Sequence, residues 1–233
     1  MGCSTSETKD EKTDGKKEML RKVDTNNVKN FEFGRYVGDL RKDQMDGNGK
    51  LYYSNGDVYE GEFKNDVKEG KGKYVYKNGN KYEGDFKNDQ FNGTGIFYYN
   101  NGDRYEGNFK NDVMEGKGIY YYLNGDKYDG EWKNDSKEGK GTFYWANGNK
   151  YEGEYKNGVA EGKGKLFLKG GKRIEGKFKN GEANGKGTIY FMNGDRFEGE
   201  FKNDKLNGKG KFYYKSGKVE NHVYEDDRLI SVK

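Results

Sequence analysis

Proline is absent from the 233-residue sequence, and cysteine and histidine each occur once. The single cysteine, Cys3, excludes a disulfide within the chain. It lies in a polar tail, whereas His222 lies in an irregular segment at the other end, so the two cannot form a nucleophile–base pair or a zinc site. We therefore predict that the protein is not an enzyme and holds no metal or cofactor.

Aliphatic residues are also scarce. Hydrophobic residues make up 30% of the chain and aromatic residues 16%, whereas 38 residues are glycine. This composition cannot fill a globular core, and it favours a thin, elongated sheet in which each part is covered by its neighbours. No hydrophobic run reaches the length of a membrane span and no signal-peptide pattern is present, so we expect a cytoplasmic protein.

Neither sign of charge dominates, because 44 basic residues are interleaved with 40 acidic ones. Lysines beside aromatic residues could imitate a single-strand nucleic-acid binder. We predict no nucleic-acid partner, because an acidic row that would repel phosphate recurs along the chain. The row consists of Glu60, Glu83, Glu106, Glu152, Glu175 and Glu198. These glutamates are expected to pair with lysines across strands on a solvated face.

The stretch Tyr82–Gly102 recurs through most of the chain, and successive copies start 23 residues apart, as from Tyr59 to Tyr82. The opening residues are Tyr36, Tyr59, Tyr82, Tyr105, Tyr128, Tyr151, Ile174 and Phe197. We number these units 1 to 8 and count positions from the opening residue as zero. Glycine returns at +2, +11 and +13, and Asn-Gly or a variant at +19 and +20. A strict period over eight units indicates a repeat architecture.

Each half of unit 3 has the pattern of a β-strand. Residues 82–87 alternate apolar or small side chains with charged ones, and residues 94–99 are aromatic and β-branched. The unit is therefore predicted to be a β-hairpin. Asn101-Gly102 suits a tight reversal with positive φ, and a longer loop at residues 88–92 is predicted at the other rim.

Strand alternation assigns the side chains of unit 3 to two faces. The aromatic face carries Tyr82, Gly84, Phe86, Gly93, Gly95, Phe97 and Tyr99. The charged face carries Glu83, Asp85, Lys87 and Tyr98. Because glycine has no side chain, we expect rings from the adjacent strand to lie on the flat backbone of the aromatic face.

The units resemble the membrane occupation and recognition nexus (MORN) repeat family, through Tyr-Glu-Gly-x-Phe, Gly-x-Gly and Asn-Gly in each 23 residues. The resemblance covers residues 31–219 and implies an all-β fold: an elongated, single-layer antiparallel sheet of eight hairpins with an N-terminal cap strand. Residues 220–233 are interpreted as a degenerate C-terminal cap. Unit 1 departs from the pattern at Leu40, and unit 7 at Ile174 with Gly170-Gly171 before it, which affects local ring packing.

The resemblance also implies a function. Similar repeats occur in proteins that link membranes to the cytoskeleton, in cilia and flagella, and in cell-division scaffolds at the cell cortex. The chain is therefore interpreted as a scaffold or adaptor that docks protein partners, such as a helix in the trough of the sheet, and that self-associates into a homodimer. The alternative is a phospholipid-binding module whose repeats contact headgroups directly.

Residues 1–30 lack the period and are polar, so a disordered tail is expected. Its first six residues match the M-G-x-x-x-[ST] pattern for N-myristoylation of Gly2, and Cys3 lies where a palmitoyl group commonly follows. One myristoyl chain binds a membrane only marginally, with K on the order of 10⁴ M⁻¹, so stable attachment needs a second chain. We predict that both acyl chains hold the protein on the cytoplasmic face of a membrane. The alternative is that the first residues of a polar tail have no such role.

An aromatic row on the charged face is the predicted partner-binding site, because exposed rings rimmed by charge have the composition of an interface. The row consists of Tyr52, Tyr98, Tyr121, Tyr144 and Tyr190, with Trp132 and Trp145 as larger anchors. Alternatively, these rings only stack on one another along the sheet.

Overall fold

The computed structural model describes residues 27–233. These residues form one open sheet of 20 strands, without an α-helix, and all strand pairs are antiparallel, which confirms the predicted fold class. The strands are β1 (Val28–Phe31), β2 (Gly34–Arg41), β3 (Gln44–Tyr53), β4 (Val58–Lys64), β5 (Val67–Val75), β6 (Lys81–Lys87), β7 (Gln90–Tyr98), β8 (Arg104–Lys110), β9 (Val113–Tyr121), β10 (Lys127–Lys133), β11 (Ser136–Tyr144), β12 (Lys150–Lys156), β13 (Val159–Phe167), β14 (Arg173–Lys179), β15 (Glu182–Tyr190), β16 (Arg196–Lys202), β17 (Lys205–Leu206), β18 (Gly208–Tyr213), β19 (Val219–Glu225) and β20 (Arg228–Val232).

The sheet is a meander in which strands pair with their neighbours along the chain. Unit 3 consists of β6 and β7, with Tyr82 opposite Phe97, and β7 then pairs with β8 of unit 4. One strand is interrupted, since β17 and β18 both pair with β16 and are separated by Asn207. Every unit is thus covered on both sides by another hairpin or by a cap.

The turns at the two rims are opposite in length to those predicted. Asn88 and Asp89, with φ of 49° and 67°, form a two-residue turn between β6 and β7. Positive φ at both residues is the type I′ geometry, which asparagine and aspartate tolerate. Asn101-Gly102 belongs to the longer connection, where Gly102 has φ of 94° and donates its amide to the Tyr99 carbonyl at 3.0 Å. The prediction is wrong because only the glycine of this pair has positive φ, as the residue that closes a four-residue turn.

Carboxylates in the turns join neighbouring units at both rims. At the rim of the short turns, Asp112 Oδ1 accepts the amide of Phe91 in the preceding unit at 2.8 Å. At the opposite rim, Asp103 Oδ1 accepts the amide of Leu123 in the following unit, also at 2.8 Å. The same bonds recur along the sheet, for example from Met45 to Asp66 and from Lys77 to Asp57.

A β-bulge divides each hairpin. In unit 3 the register shifts between Gly84 and Phe86, which leaves Asp85 opposite extra residues of β7. One of these, Gly93, has φ of 118°, and a Cβ added there would lie 2.8 Å from the Asp85 side chain. Gly93 therefore borders the charged face and not, as predicted, the aromatic face.

The aromatic face forms the core of the sheet. The Tyr82 ring lies along its own strand over Gly84 and Gly95, where an added Cβ would be 2.5 and 2.4 Å from the tyrosine Oη. This hydroxyl donates to the Asp85 carbonyl at 2.9 Å, beside the bulge. Phe109 of the next unit meets the ring edge-on, with ring centres 5.1 Å apart. The ring thus covers Gly84 on its own strand and Gly95 on the adjacent strand, as expected, and it occupies the space that a Cβ would need at both glycines.

The same packing recurs along the sheet. The largest fully buried side chains are opening residues, namely Tyr36, Tyr59, Tyr82, Tyr105, Tyr128 and Phe197. In unit 7 the smaller Ile174 is also buried, and the Phe201 ring from unit 8 approaches the Cβ position of Gly187 to 3.0 Å. A neighbouring ring therefore takes part of the space that a tyrosine fills elsewhere.

The ends of the sheet differ from the units. β1 begins at Val28, inside the segment 1–30 predicted as a tail, so the sheet starts earlier than expected. At the other end, β19 and β20 form a last hairpin that exposes Leu229 and Ile230. The predicted lipidation sites, Gly2 and Cys3, lie outside the described residues. Within residues 27–233, no helix has the length and apolarity needed to cross a membrane.

Candidate docking face

The charged face is concave across units 4 to 7. A groove of about 1100 Å³ lies over the strands between Lys117 and Thr188. Its lining includes backbone at Gly141 and Gly153, which have no side chains, and charged side chains of both signs. The glycines that are covered by rings on the aromatic face therefore form the floor of a shallow polar groove on the charged face.

Ion pairs of the glutamates at +1 cover the charged face. Three of these pairs cross strands, as predicted, and the others join residues two apart on one strand; the cross-strand pairs are Lys50–Glu60, Lys73–Glu83 and Lys165–Glu175. Glu83 Oε1 lies 3.1 Å from Lys81 Nζ and 3.4 Å from Lys73 Nζ. The Lys81 ammonium, with a smaller effect of Lys73, holds the pKa of the Glu83 carboxyl below its ordinary value. Similar pairs are Lys50–Glu60, Arg104–Glu106, Lys150–Glu152, Lys165–Glu175, Arg173–Glu175 and Arg196–Glu198. Because the partners are partly exposed, each pair contributes about 0–1 kcal/mol.

The predicted tyrosine row lies on the charged face, but cations cover its rings. Lys81 Nζ is 4.0 Å from the centre of the Tyr98 ring, and the Arg104 guanidinium is 4.3 Å from that of Tyr121. The other pairs are Lys50–Tyr52, Lys127–Tyr144, Lys150–Phe167, Arg173–Tyr190 and Arg196–Tyr213. The sequence prediction omitted Phe167 and Tyr213, which share position +16 with the tyrosines. Each ring therefore already has a partner within the sheet, worth about 0.5–1 kcal/mol at an exposed site.

The two tryptophans lie on the aromatic face and not beside the tyrosine row. Trp132 is 5% exposed, and its indole N–H donates to the Gly118 carbonyl at 3.1 Å. Trp145 is half-buried against Phe143, with ring centres 4.9 Å apart. The prediction of exposed anchors is wrong for Trp132, because position +4 alternates with the charged positions and points to the core.

Half-buried rings at +15 and +17 form an aromatic ladder beside the core. Successive rings from Tyr53 to Trp145 are tilted against each other at centre distances of 4.6 to 6.1 Å. Lys68 and Lys137 reach this ladder from position +9, and Lys137 Nζ lies 4.7 Å from the Phe143 ring centre. Burial lowers the pKa of both lysines. Sequence analysis missed them, although lysine at a position that is otherwise Met, Phe, Ala or Leu is a readable signal.

A carboxylate at position +3 caps the bulge in five units. In unit 3, Asp85 Oδ2 accepts the amide of Thr94 at 2.8 Å, and its other oxygen lies 2.6 Å from Lys71 Nζ. The equivalent amide bonds are Asn48–Asp39, Lys71–Glu62, Lys140–Glu131 and Lys163–Glu154. Unit 4 instead has Asn108, and unit 7 has Lys177. Unit 8 has an acid, Glu200, but no bond to the equivalent amide, so position +3 is acidic in six units, neutral in unit 4 and basic in unit 7.

The one histidine belongs to the C-terminal cap. His222 stands at the glycine position +2 of a degenerate ninth unit, and it stacks on Phe212 with ring centres 5.0 Å apart. Its Nε2 lies 3.2 Å from Glu220 Oε2. Lys218, Tyr214 and His222, in that order, lower the pKa of Glu220 to about 2. Across residues 27–233, no group of three or more His, Cys, Asp and Glu side chains is arranged to hold a metal ion.

Comparison with known proteins identifies the repeat. The family model for the MORN repeat matches residues 36–58, 59–81, 82–104, 105–127, 128–150, 151–173, 175–196 and 197–219. No curated protein matches the chain significantly.

Two solved structures show weak similarity. The TCP domain of Drosophila melanogaster SAS-4 (dCPAP), in complex with a proline-rich motif of Ana2 (dSTIL), is 14% identical with a TM-score of 0.46, over 81% of this chain and 97% of that one. The TCP10 domain of Danio rerio CPAP is 12% identical with a TM-score of 0.38, over 88% and 98%. Neither value is high enough to bear on function. Because the eight MORN segments run almost without interruption from residue 36 to 219 and coincide with the hairpins, the chain belongs to the MORN repeat family.

Proposed function

We propose that the protein is a non-enzymatic, membrane-tethered scaffold that docks a protein partner in the groove of the charged face. Its membership of the MORN repeat family supports a membrane- or protein-binding repeat module. The main support for docking is the groove. It has a volume of about 1100 Å³, spans four units, and is lined by glycine backbone and charged side chains.

The charge pattern of the groove favours a protein over an anionic surface. Five acidic residues and six lysines line it: Asp129, Glu131, Glu152, Glu154 and Glu175, with Lys117, Lys140, Lys163, Lys165, Lys177 and Lys186. The carboxylates offset most of the attraction of the lysines for a phospholipid headgroup or a nucleic acid, whereas a protein segment with both signs of charge can complement both sets. The partner is thus expected to carry interleaved acidic and basic residues.

The tether consists of acyl chains on Gly2 and Cys3. The pattern of residues 1–6 and the position of the only cysteine next to the acceptor glycine support it. Two chains exceed the marginal affinity of one, since each buried CH₂ adds about 0.8 kcal/mol. The resemblance to similar repeats extends the proposal to the cytoplasmic face of a ciliary, flagellar or cortical membrane, and to self-association into a homodimer.

Docking is tested by crosslinking mass spectrometry with the full chain and two charge-reversed double variants. Asp129→Lys with Glu152→Lys changes position +1 within the groove, and Glu60→Lys with Glu106→Lys makes the same change outside it. We expect a partner whose crosslinks map to the groove and whose yield falls about tenfold, equivalent to about 1.4 kcal/mol, only in the first variant. Equal crosslinking of all three proteins contradicts docking in the groove.

The tether is tested by fractionating cells that express the full chain, Gly2→Ala or Cys3→Ser. Gly2→Ala is expected to move the protein from membranes to the soluble fraction, and Cys3→Ser to weaken its retention. Full retention of both variants would contradict the tether and assign attachment to the repeats, which is the phospholipid alternative.

A further inference from the structure

Unit 7 lacks the carboxylate that caps the bulge in its sister units. In five units an Asp or Glu at +3 accepts the amide at +12, at distances of 2.8 to 3.2 Å. Unit 7 keeps the bulge, with a register shift between Gly176 and Phe178, but its residue at +3 is Lys177. Among residues 27–233, no side chain accepts a hydrogen bond from the Lys186 amide, which is the equivalent donor. Within the described residues, no side chain accepts from the equivalent amides of Lys117 in unit 4 and Lys209 in unit 8 either, so the feature that sets unit 7 apart is the lysine at +3. Unit 7 therefore keeps the bulge that holds a carboxylate in five units but has a basic residue in the place of the acid.

The substitution also removes a counter-charge across the strands. Lys177 lies directly opposite Lys163 of the preceding unit. In unit 3 the equivalent positions hold the ion pair of Lys71 and Asp85, at 2.6 Å. Like charges directly opposite each other are destabilising in a sheet. With Lys186 they make three lysines around one amide, and none of the three forms an ion pair with a carboxylate of residues 27–233.

The structure leaves room next to this place. A cavity of about 450 Å³ is lined by Lys163, Lys177 and Gly185, the residue that precedes Lys186, while Lys186 itself lines the groove. Two acidic residues also line it, but backbone amides occupy both: Glu154 Oε2 accepts from Lys163 at 3.2 Å, and Glu161 Oε2 accepts from Asn180 at 3.0 Å.

One further carboxylate lies close to the cluster. Glu200, on the next strand, is the register partner of Lys186. Glu200 therefore offsets the charge of Lys186. The cavity itself is lined by three lysines and two glutamates, so one net positive charge remains; the lysines are Lys163, Lys177 and Lys179.

We propose that unit 7 binds a carboxylate from an acidic segment of the docked partner, in the place where sister units hold their own Asp or Glu. A carboxylate fits because the same amide geometry binds one in five units, and the lysines add charge-assisted contacts. The inference rests on the proposed docking function. It places one contact of the docked partner at the unit 7 end of the groove, which Lys163, Lys177 and Lys186 line.

The test follows amide resonances of the ¹⁵N-labelled full chain during titration with an acetylated and amidated tetraglutamate peptide. We expect a saturable shift of the Lys186 amide that weakens with added salt. Lys177→Glu supplies the missing carboxylate within the chain, so its Lys186 amide should start near the bound position and its dissociation constant should rise by about tenfold or more. Lys202→Glu, the same charge change away from the cavity, serves as the control and is expected to bind like the unaltered chain.

Titrations with inorganic phosphate and with phosphatidylserine vesicles test whether a free phosphate or a lipid headgroup binds the site in place of a peptide carboxylate. The assignment is overturned if phosphate moves the Lys186 amide at lower concentration than the peptide does, or if vesicles bind while the peptide does not. It is also overturned if the peptide leaves that amide unmoved or binds Lys177→Glu equally well. Crosslinks in the groove that persist without a peptide shift would reject this site alone. A peptide shift without specific crosslinks would reject the docking function alone.

Discussion

On the aromatic face a ring lies over two glycines in unit after unit, whereas on the charged face the residue at +3 changes from aspartate to asparagine to lysine. A side chain in the first set fits against its own strand and against the next unit, so a change there disturbs two hairpins. A side chain in the second set meets solvent and can change at small cost. Features specific to this chain are therefore found on the charged face, and four experiments test that division.

Removing an opening ring is expected to have the largest effect. Tyr105 is fully buried, so Tyr105→Ala should lower the free energy of unfolding by about 3–5 kcal/mol. Tyr121→Ala removes a ring of the charged face, and only the contact with Arg104, so it should cost about 0.5–1 kcal/mol. Urea unfolding of both variants measures the difference. Similar losses would show that the two faces do not differ in this way.

Adding one methyl group at a glycine probes the same core. A Cβ at Gly118 would lie 2.2 Å from Tyr105 Oη, so Gly118→Ala should cost about 1–3 kcal/mol through displacement of the ring. Gly170 has no atom within 4 Å of its Cβ position, and Gly170→Ala is expected to stay within about 0.5 kcal/mol of the unaltered chain. Thermal melting compares the pair, and a neutral Gly118→Ala would refute the close fit of the ring.

Alkaline pH should weaken the aromatic face. Burial raises the pKa of Tyr36 and Tyr53 from an ordinary value of 10.0 to about 12. Stability from a raised pKa is complete below pH 10 and is lost as the pH rises towards 12, because the unfolded chain releases these protons first. Urea unfolding between pH 9 and 12, with phenolate absorbance recorded in parallel, tests this. Tyr36→Phe should show a smaller loss over that range, and an unchanged pH profile would contradict the prediction.

Restoring the acidic residue in unit 7 should have the smallest effect, and of opposite sign. Lys177→Glu replaces repulsion of Lys163 by attraction, and we expect a gain of about 0.5–1 kcal/mol at low salt. Lys110→Glu makes the same change in net charge at a residue that faces Val113 and not a lysine across the strand, so it should have no comparable gain. Equal melting temperatures of the two variants would contradict the claim that repulsion between Lys163 and Lys177 destabilises unit 7.

The period of 23 residues was sufficient to predict the hairpins, the open sheet and the two faces. Alternation failed at the bulge, because a register shift between Gly84 and Phe86 moves Gly93 to the other side without any change in the pattern. Turn length failed because Asn88-Asp89 adopts positive φ at both residues, although it lacks glycine. Both features depend on hydrogen bonds between strands, which a single sequence does not display.

The predicted site was recovered only in part. Position +16 gave the tyrosine row, but the cations above its rings come from the partner strand of the hairpin, as Arg104 does for Tyr121, except that Lys50 lies on the same strand as Tyr52. Trp132 was misplaced because its size was weighed above its alternation with charged neighbours. Lys177 was readable from the sequence, yet its meaning required the structure, which shows that an acid at +3 binds a backbone amide.

The carboxylates in the turns bind amides of neighbouring units, and the two rims of the sheet differ in which neighbour supplies the amide. At the rim of the short turns, Asp112 of unit 4 accepts from Phe91 of the preceding unit. At the opposite rim, Asp103 of unit 3 accepts from Leu123 of the following unit. A cut between units 3 and 4 therefore removes an acceptor from whichever piece is kept. The caps at the two ends of the described sheet supply the same kind of acceptor: the Phe33 carbonyl accepts the Ser54 amide at 2.8 Å, and Asp227 accepts the Leu206 amide at 2.7 Å. A shortened version of this sheet that keeps both caps therefore retains these acceptors for its first and last units.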